Sequence, residues 1–143
     1  MFLSDISIVV RKMRTFSEKG LAGYGLGFPE QLVLMHLTAH GDSNQESIAA
    51  SLDIDKGAIT KTISKLEAKG YVVRELNPDD RREKIVALTR EAQPAIDALR
   101  QSFDGLQEVI FKGLSAEEVA QTSDCLKRIA ANLSEEIATR KER

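Results

Sequence analysis

Apolar positions recur along this chain mostly three and four residues apart, the period of a helix packed on one side. Ile6, Val9, Val10, Met13 and Phe16 mark a first helix, roughly Leu3 to Lys19. The stretch Gly20–Gly27 holds four glycines and reads as a loop. Pro29 suits the first turn of a second helix running to about Ala39. Leu32, Leu34, Met35 and Leu37 make that helix heavily apolar and so central to the core. Gly41 ends it. Ser43 and Glu46 stand three apart, the spacing of a capping box, and predict a short helix from Glu46 to Leu52 with Ile48, Ala49 and Leu52 inward.

After a break at Asp53-Ile-Asp55 comes the stretch that organises the rest. Ile59, Ile63 and Leu66 share one helical face. At about 100° per residue, Gly57, Thr60, Lys61 and Ser64 fall on the opposite one, which is small, hydroxylated and basic. Asp53 or Asp55 is placed to accept from the first free amides, and Gly70 stops the helix. Two runs rich in Val and Ile follow, Tyr71–Leu76 and Lys84–Leu88, joined by the polar tip Asn77-Pro-Asp-Asp-Arg-Arg-Glu83. They predict a β-hairpin with a charged loop. Two short helices across a tight turn, followed by such a hairpin, are a winged helix-turn-helix.

Beyond Thr89, an expected N-cap, Ala92, Ile96, Leu99, Phe103, Leu106 and Ile110 alternate spacings of four and three, a coiled-coil seam, until Gly113. Ser115 and Glu118 form a second capping box. The last helix carries Val119, Leu126, Ile129, Leu133 and Ile137. This apolar stripe exceeds what a small winged helix needs for its own core, so the terminal helices are expected to build a homodimer rather than only an internal bundle. The fold class is therefore mainly α (α+β): one domain over 1–143, dimerisation helices at about 1–19 and 90–143, and a winged-helix lobe at about 28–89.

Bulk properties narrow the function. The 143 residues, 42% hydrophobic and 29% charged, suit one globular domain. A formal net charge of −2 argues against coating polyanions with the whole surface. Charge is uneven, however: Lys56 to Lys69 holds four lysines against one glutamate, whereas Glu91 to the end has ten acidic residues against seven basic. The basic excess sits on the predicted reading helix. One cysteine, Cys125, fits a reducing compartment. No signal peptide and no run of about 20 apolar residues is seen, and the expectation is a cytoplasmic protein with no membrane partner.

A helix with a polar face is narrow enough for the major groove, where hydroxyls and lysines reach base edges and phosphates. Lys56, Thr60, Lys61 and Ser64 are the candidates for that role. Lys65 and Lys69 suit phosphates or plain surface, and Arg81 and Arg82 at the wing tip suit an adjacent minor groove or its phosphates. For Arg74, pairing with Glu75 or Glu83 across the hairpin is an equal alternative to such a role.

With these residues in hand, the chain resembles the MarR family of bacterial transcription regulators over nearly its whole length. The resemblance is strongest over Gln45–Thr89: the Ile-Asp-Lys-Gly-Ala-Ile-Thr-Lys start of the reading helix, its Leu-Glu-Ala-Lys-Gly-Tyr-Val exit, and Asp80-Arg81-Arg82 followed by Leu88-Thr89. It implies that Arg82 contacts the minor groove, that Asp80 helps hold the wing, and that the protein is an obligate dimer repressing promoters through a palindromic operator. It also implies a small-molecule effector near the junction of dimer helices and DNA-binding lobe. The chain departs from the pattern at Gln93-Pro94, where the family usually has Gly a few residues after Leu-Thr, which leaves the start of the long helix open. It also lacks the N-terminal cysteine of the peroxide-sensing members.

The remaining chemistry is sparse. His36 and His40, at i and i+4, have a spacing that brings two imidazoles to one metal ion, but only Asp42 is near as a further ligand, so the commoner reading is structural. Cys125 beside Leu126 reads as a small buried hydrophobe. Tyr24 and Phe28 flank the glycine loop as candidate pocket or packing residues. No nucleophile–base constellation and no Gly-rich phosphate loop supports an enzyme, and no cofactor is expected. The rival from another class is an interaction module that keeps the winged helix but binds protein or ligand without reading DNA.

Overall fold

The computed structural model describes residues 1–143, the surroundings of Lys19 and Gly20 excepted, and carries the first helix to Leu21, past its predicted end at Lys19 and into the stretch read as a glycine loop. The chain is mostly helical, with a small antiparallel sheet, in two compact units, Met1–Leu106 and Gln107–Arg143. Among the described residues, no helix is long and apolar enough to cross a membrane.

The first unit opens with α1 (Phe2–Leu21) and a 3-10 turn at Ala22–Tyr24. Gly25 and Gly41, the latter closing α2 (Phe28–His40), take left-handed φ of 59° and 77°. α2 is the centre of the core: Val33, Leu34 and Leu37 are buried, as are Glu30 and His36. α3 (Gln45–Leu52) and α4 (Lys56–Ala68) form the helix-turn-helix. Ile48 from α3 and Ile59, Ile63 and Leu66 from α4 are fully buried against α2, so the apolar period of α4 describes its inner face. Asp55 caps α4 through a bond from Gly57 N–H, 2.9 Å. Asp53 instead ends α3 in the left-handed region, φ 52°. Gly70, at φ 78°, turns the chain out of α4 into β2 (Val72–Leu76), which pairs with β3 (Lys84–Leu88) in the predicted hairpin.

Three local expectations are corrected. A third strand, β1 (Ser43–Asn44), pairs with β3 at Ser43↔Val86 and Asn44↔Ile85, giving the order β1-β3-β2. The α3 cap is accordingly Asn44, whose side chain accepts from Ser47 N–H at 2.7 Å, and not Ser43, whose hydroxyl donates to the Gly41 carbonyl. Strand pairing fixes Ser43 one position too early to cap, and Glu46 is left free to pair with Lys56. Thr89 caps nothing with its side chain; its hydroxyl donates to the Gly70 carbonyl at 2.6 Å, and its amide to that of Tyr71, tying the hairpin end to the exit of α4. A 3-10 turn at Arg90–Ala92 then leads into α5 (Gln93–Ile110). That start puts Pro94 in the first turn, where its missing N–H leaves no helical bond unmade.

Ala92, Ile96, Leu99 and Leu106 are buried, and Leu99 and Phe103 belong to the core of the first unit. The spacing that reads as a seam is thus used, as far as Leu106, inside the unit itself. In the second unit, α6 (Ala116–Lys141) begins on the predicted box: Ser115 Oγ accepts from Glu118 N–H at 3.1 Å, and Glu118 accepts from Ser115 N–H at 2.7 Å. None of its residues is buried, and Leu126, Leu133 and Ile137 are more than half exposed. Cys125 lies exposed on this helix, contrary to its reading as a buried hydrophobe.

Candidate nucleic-acid interface

The outer face of α4 is exposed at Lys56, Thr60, Lys61, Ser64 and Lys65, because burial of Ile59, Ile63 and Leu66 turns those positions outward. Its polar groups are not equally free. Lys56 Nζ is 3.1 Å from Glu46 on α3; with both side chains about three-quarters exposed, the pair holds Lys56 only weakly. The Thr60 hydroxyl donates to the Lys56 carbonyl at 2.9 Å and accepts from Gln45 Nε2 at 3.1 Å. With its one hydrogen spent inside the helix, Thr60 presents its methyl group and a remaining lone pair outward.

Ser64 is held from the sheet. Arg74, on β2, reaches back to α4, and its Nη2 donates to Ser64 Oγ at 2.8 Å and to the Thr60 carbonyl at 3.1 Å. Of the alternatives open to Arg74, pairing with Glu75 or Glu83 does not form. Glu83 is engaged elsewhere: its carboxylate accepts from the side-chain amides of Asn44 and Asn77, which fastens the wing to β1. Arg74 Nε is buried with no partner, which costs about 1–3 kcal/mol. The guanidinium is therefore seated by its two Nη2 bonds rather than saturated.

The wing tip is built by short side-chain-to-backbone bonds. Asn77 Oδ1 accepts from Asp79 N–H, and Asp80 Oδ1 accepts from Arg82 N–H, both at 3.0 Å. Each is a turn in which a short carboxyl or amide replaces a backbone acceptor. Arg81 and Arg82 stand exposed beyond that turn. Asn44, Gln45, Glu46, Thr60, Arg74, Asp80, Arg82, Glu83 and Lys84 line an open polar cleft of about 550 Å³ between the start of α3, the face of α4 and the wing. Thr60 of the reading helix and Arg82 of the wing are thus brought to one cleft of the first unit.

Lys69 does not join that surface. Its ammonium meets the buried Glu30 carboxylate at 2.5 Å, and the other Glu30 oxygen accepts from Gly27 N–H at 3.3 Å. It remains an exposed residue, as the surface reading expects, with its ammonium held by a buried carboxylate. A lysine 39 residues from its acidic partner gives no sequence signal for such a pair; Arg74, closer to two glutamates than to Ser64, gave a misleading one.

His36 and His40 stack with ring centroids 4.4 Å apart, and His40 Nδ1 lies 3.1 Å from the His36 carbonyl oxygen. Burial, and then the neighbouring His40, lowers the His36 pKa below the ordinary histidine range. Among the described residues, no group of three or more His, Cys, Asp or Glu side chains could hold a metal ion. Tyr24 ends the 3-10 turn half-buried, and Phe28 opens α2 exposed.

Comparison with known proteins agrees with this arrangement. Residues 29–84 match the model of the MarR family. The chain is similar to the crystal structure of a MarR-family transcriptional regulator from Rhodococcus sp. RHA1, with 30% identity over 91% of this chain and 95% of that one and a TM-score of 0.71. It is similar to a mutant MarR from E.coli complexed with operator DNA, at 26% identity over 87% of this chain and 89% of that one, TM-score 0.74. It also shares its fold, at 17% identity over 91% and 93% of the two chains and TM-score 0.78, with Bordetella bronchiseptica BpsR, whose DNA binding is regulated by 6-hydroxynicotinic acid.

Proposed function

The chain belongs to the MarR family of transcriptional regulators, and on that premise we propose that it is a ligand-responsive repressor that binds a palindromic operator as a homodimer in the cytoplasm. The observation behind this reading is the cleft that Thr60 of α4 shares with Arg82 of the wing, with the lysines of α4 and both wing arginines exposed. α4 enters the major groove with Lys56, Thr60, Lys61 and Ser64 toward base edges and Lys65 toward phosphate. The wing, shaped at Asp80, brings Arg82, and less directly Arg81, to the minor groove or its phosphates. The homodimer rests on apolar surface left open: Phe2, Val9 and Phe16 on α1, and Leu126, Leu133 and Ile137 on α6. A two-fold axis presents two reading helices to half-sites about one helical turn apart. An effector binding one spacing of the heads better than the other shifts the population away from the DNA-competent state.

A gel shift of the purified protein against the DNA flanking its own coding region, across a salt series, tests this. Specific retention that weakens as salt rises is expected. Arg82→Ala and Lys61→Ala each weaken it roughly tenfold with the dimer intact and lower the salt slope by about one where the lost contact is to phosphate. Full affinity in both variants would sink the residue assignment. No specific binding at low salt by protein free of co-purified ligand would instead favour an interaction module.

A further inference from the structure

Thr60 and Thr62 on α4 both send their hydroxyl hydrogen to the carbonyl four residues back, Lys56 O and Ala58 O, each at 2.9 Å. Ser64 makes no such bond. The carbonyl it would use, Thr60 O, has one lone pair committed to the helix's own amide bond, and the other is taken by Arg74 Nη2. The same Nη2 donates to Ser64 Oγ. One guanidinium nitrogen thus occupies a lone pair of Ser64 and also blocks the internal acceptor for its hydrogen. The hydroxyl is left with a free hydrogen on an exposed face, and an oxygen whose acceptor side is turned to a cation. A hydroxyl in that state offers a donor to whatever lies beyond the helix.

We propose that Arg74 is a positioning residue for DNA recognition, fixing Ser64 as a hydrogen-bond donor so that the operator base facing Ser64 is one that offers acceptors and cytosine is disfavoured there. The proposal rests on the reading of α4 as the major-groove helix. The chemistry selects between base edges: guanine shows O6 and N7 acceptors in the major groove, whereas cytosine shows its N4 amino donor. A free serine hydroxyl rotates to satisfy either edge; one already accepting from a guanidinium keeps a second lone pair, but turning it to the cytosine amino group leaves the hydroxyl hydrogen without an acceptor, so an acceptor edge is preferred. Arg74 does this from the sheet, without touching DNA. Arg is suited to the task because the two hydrogens of Nη2 are fixed in the guanidinium plane and so hold both acceptors in set directions, whereas the hydrogens of a lysine ammonium rotate.

The test uses the full-length chain and a labelled duplex carrying the consensus that this chain selects from a randomised library. Every single-base variant of one half-site is then measured with the unsubstituted protein, Arg74→Met, Arg74→Lys, Ser64→Ala and Arg74→Met/Ser64→Ala. With the unsubstituted protein, cytosine at one position costs roughly tenfold in affinity. In Arg74→Met that penalty shrinks to about twofold, in Arg74→Lys it lies between, and in Ser64→Ala it is lost. Adding Arg74→Met to Ser64→Ala changes nothing further, because both act through one hydroxyl. The salt slope is the same in all five proteins, since no phosphate contact is removed. A thermal melt of each variant confirms that it folds, and Arg74→Lys stands in if Arg74→Met does not. An unchanged cytosine penalty in the Arg74 variants overturns the proposal. So does a uniform loss across all base variants with a salt slope lower by about one, which would make Arg74 a direct phosphate contact, and so does additivity in the double variant. If the unsubstituted chain selects no consensus, the DNA-binding reading falls and takes the proposal with it; selection followed by any of the other three results overturns the proposal alone.

Discussion

α4 and α6 are both amphipathic helices, and they meet their solvent in opposite ways. α4 has 13 residues and buries Ile59, Ile63 and Leu66 completely. Its polar face is held from α3 by Gln45, with a weak exposed pair to Glu46, and from the sheet by Arg74. α6 is twice as long, buries nothing, and leaves Leu126, Leu133 and Ile137 more than half exposed. The difference teaches that equal patterning does not mean equal self-sufficiency. α4 is stabilised within its own unit, so its outer face is available for a ligand as large as DNA. α6 has its hydrophobic stripe still to bury, and a second copy of the chain is the occupant that the proposed function supplies.

Breaking that contrast at α6 gives the largest effect. Leu126→Glu with Leu133→Glu places two charges in the proposed dimer seam, and the dissociation constant of the dimer should rise by more than a hundredfold. Sedimentation velocity should show monomer, and the melting temperature should lose its dependence on protein concentration. A dimer that survives both charges would place the interface elsewhere. At α4 the effect is internal: Ile63→Ala leaves a cavity beneath the reading helix and should cost about 2–5 kcal/mol in denaturant unfolding at fixed protein concentration.

The contrast sharpens at smaller scale. Asn44→Ala removes both the α3 cap and the bond to Glu83 and should cost about 1–3 kcal/mol, whereas Ser43→Ala, which removes only a bond to the Gly41 carbonyl, should cost a few tenths. Equal losses would restore Ser43 as the cap. The smallest effect lies with His36. Its folded pKa is lowered, so as pH falls through the ordinary histidine range near 6.5 the unfolded chain takes up the proton first, and stability falls until the folded pKa is passed. A series of melts from neutral to acidic pH should show a steeper decline for the unsubstituted protein than for His36→Gln. Parallel declines would mean that His36 contributes nothing to the acid limb.

What could be read from the sequence follows the length and regularity of each signal. The inner face of α4, the hairpin and the Ser115–Glu118 box repeat at spacings that geometry dictates, and they stand where the spacings put them. β1 is two residues long, too short to show alternation, and it moved the α3 cap from Ser43 to Asn44. Arg74 was legible as a cation on a strand but not as a clamp on a helix, because a long side chain has many partners within reach and only the crossing of β2 over α4 selects among them. The apolar face of α5 was visible, but spacing alone does not tell a stripe that packs into its own core from one that awaits a partner.

The Glu30–Lys69 pair has a kinetic consequence. It closes a loop of 39 residues, as does the bond from Asn44 to Glu83. Loop-closure entropy for that separation is roughly 3 kcal/mol before any constant, so neither tie can lead folding. Helix α4 and the β2–β3 hairpin, whose contacts are local, are expected to form first and the two long ties to lock afterwards, which mutant folding and unfolding rates would check. Interactions made after the barrier act on the unfolding rate. On that order, Glu30→Gln should speed unfolding of the DNA-reading lobe and leave its folding rate nearly unchanged.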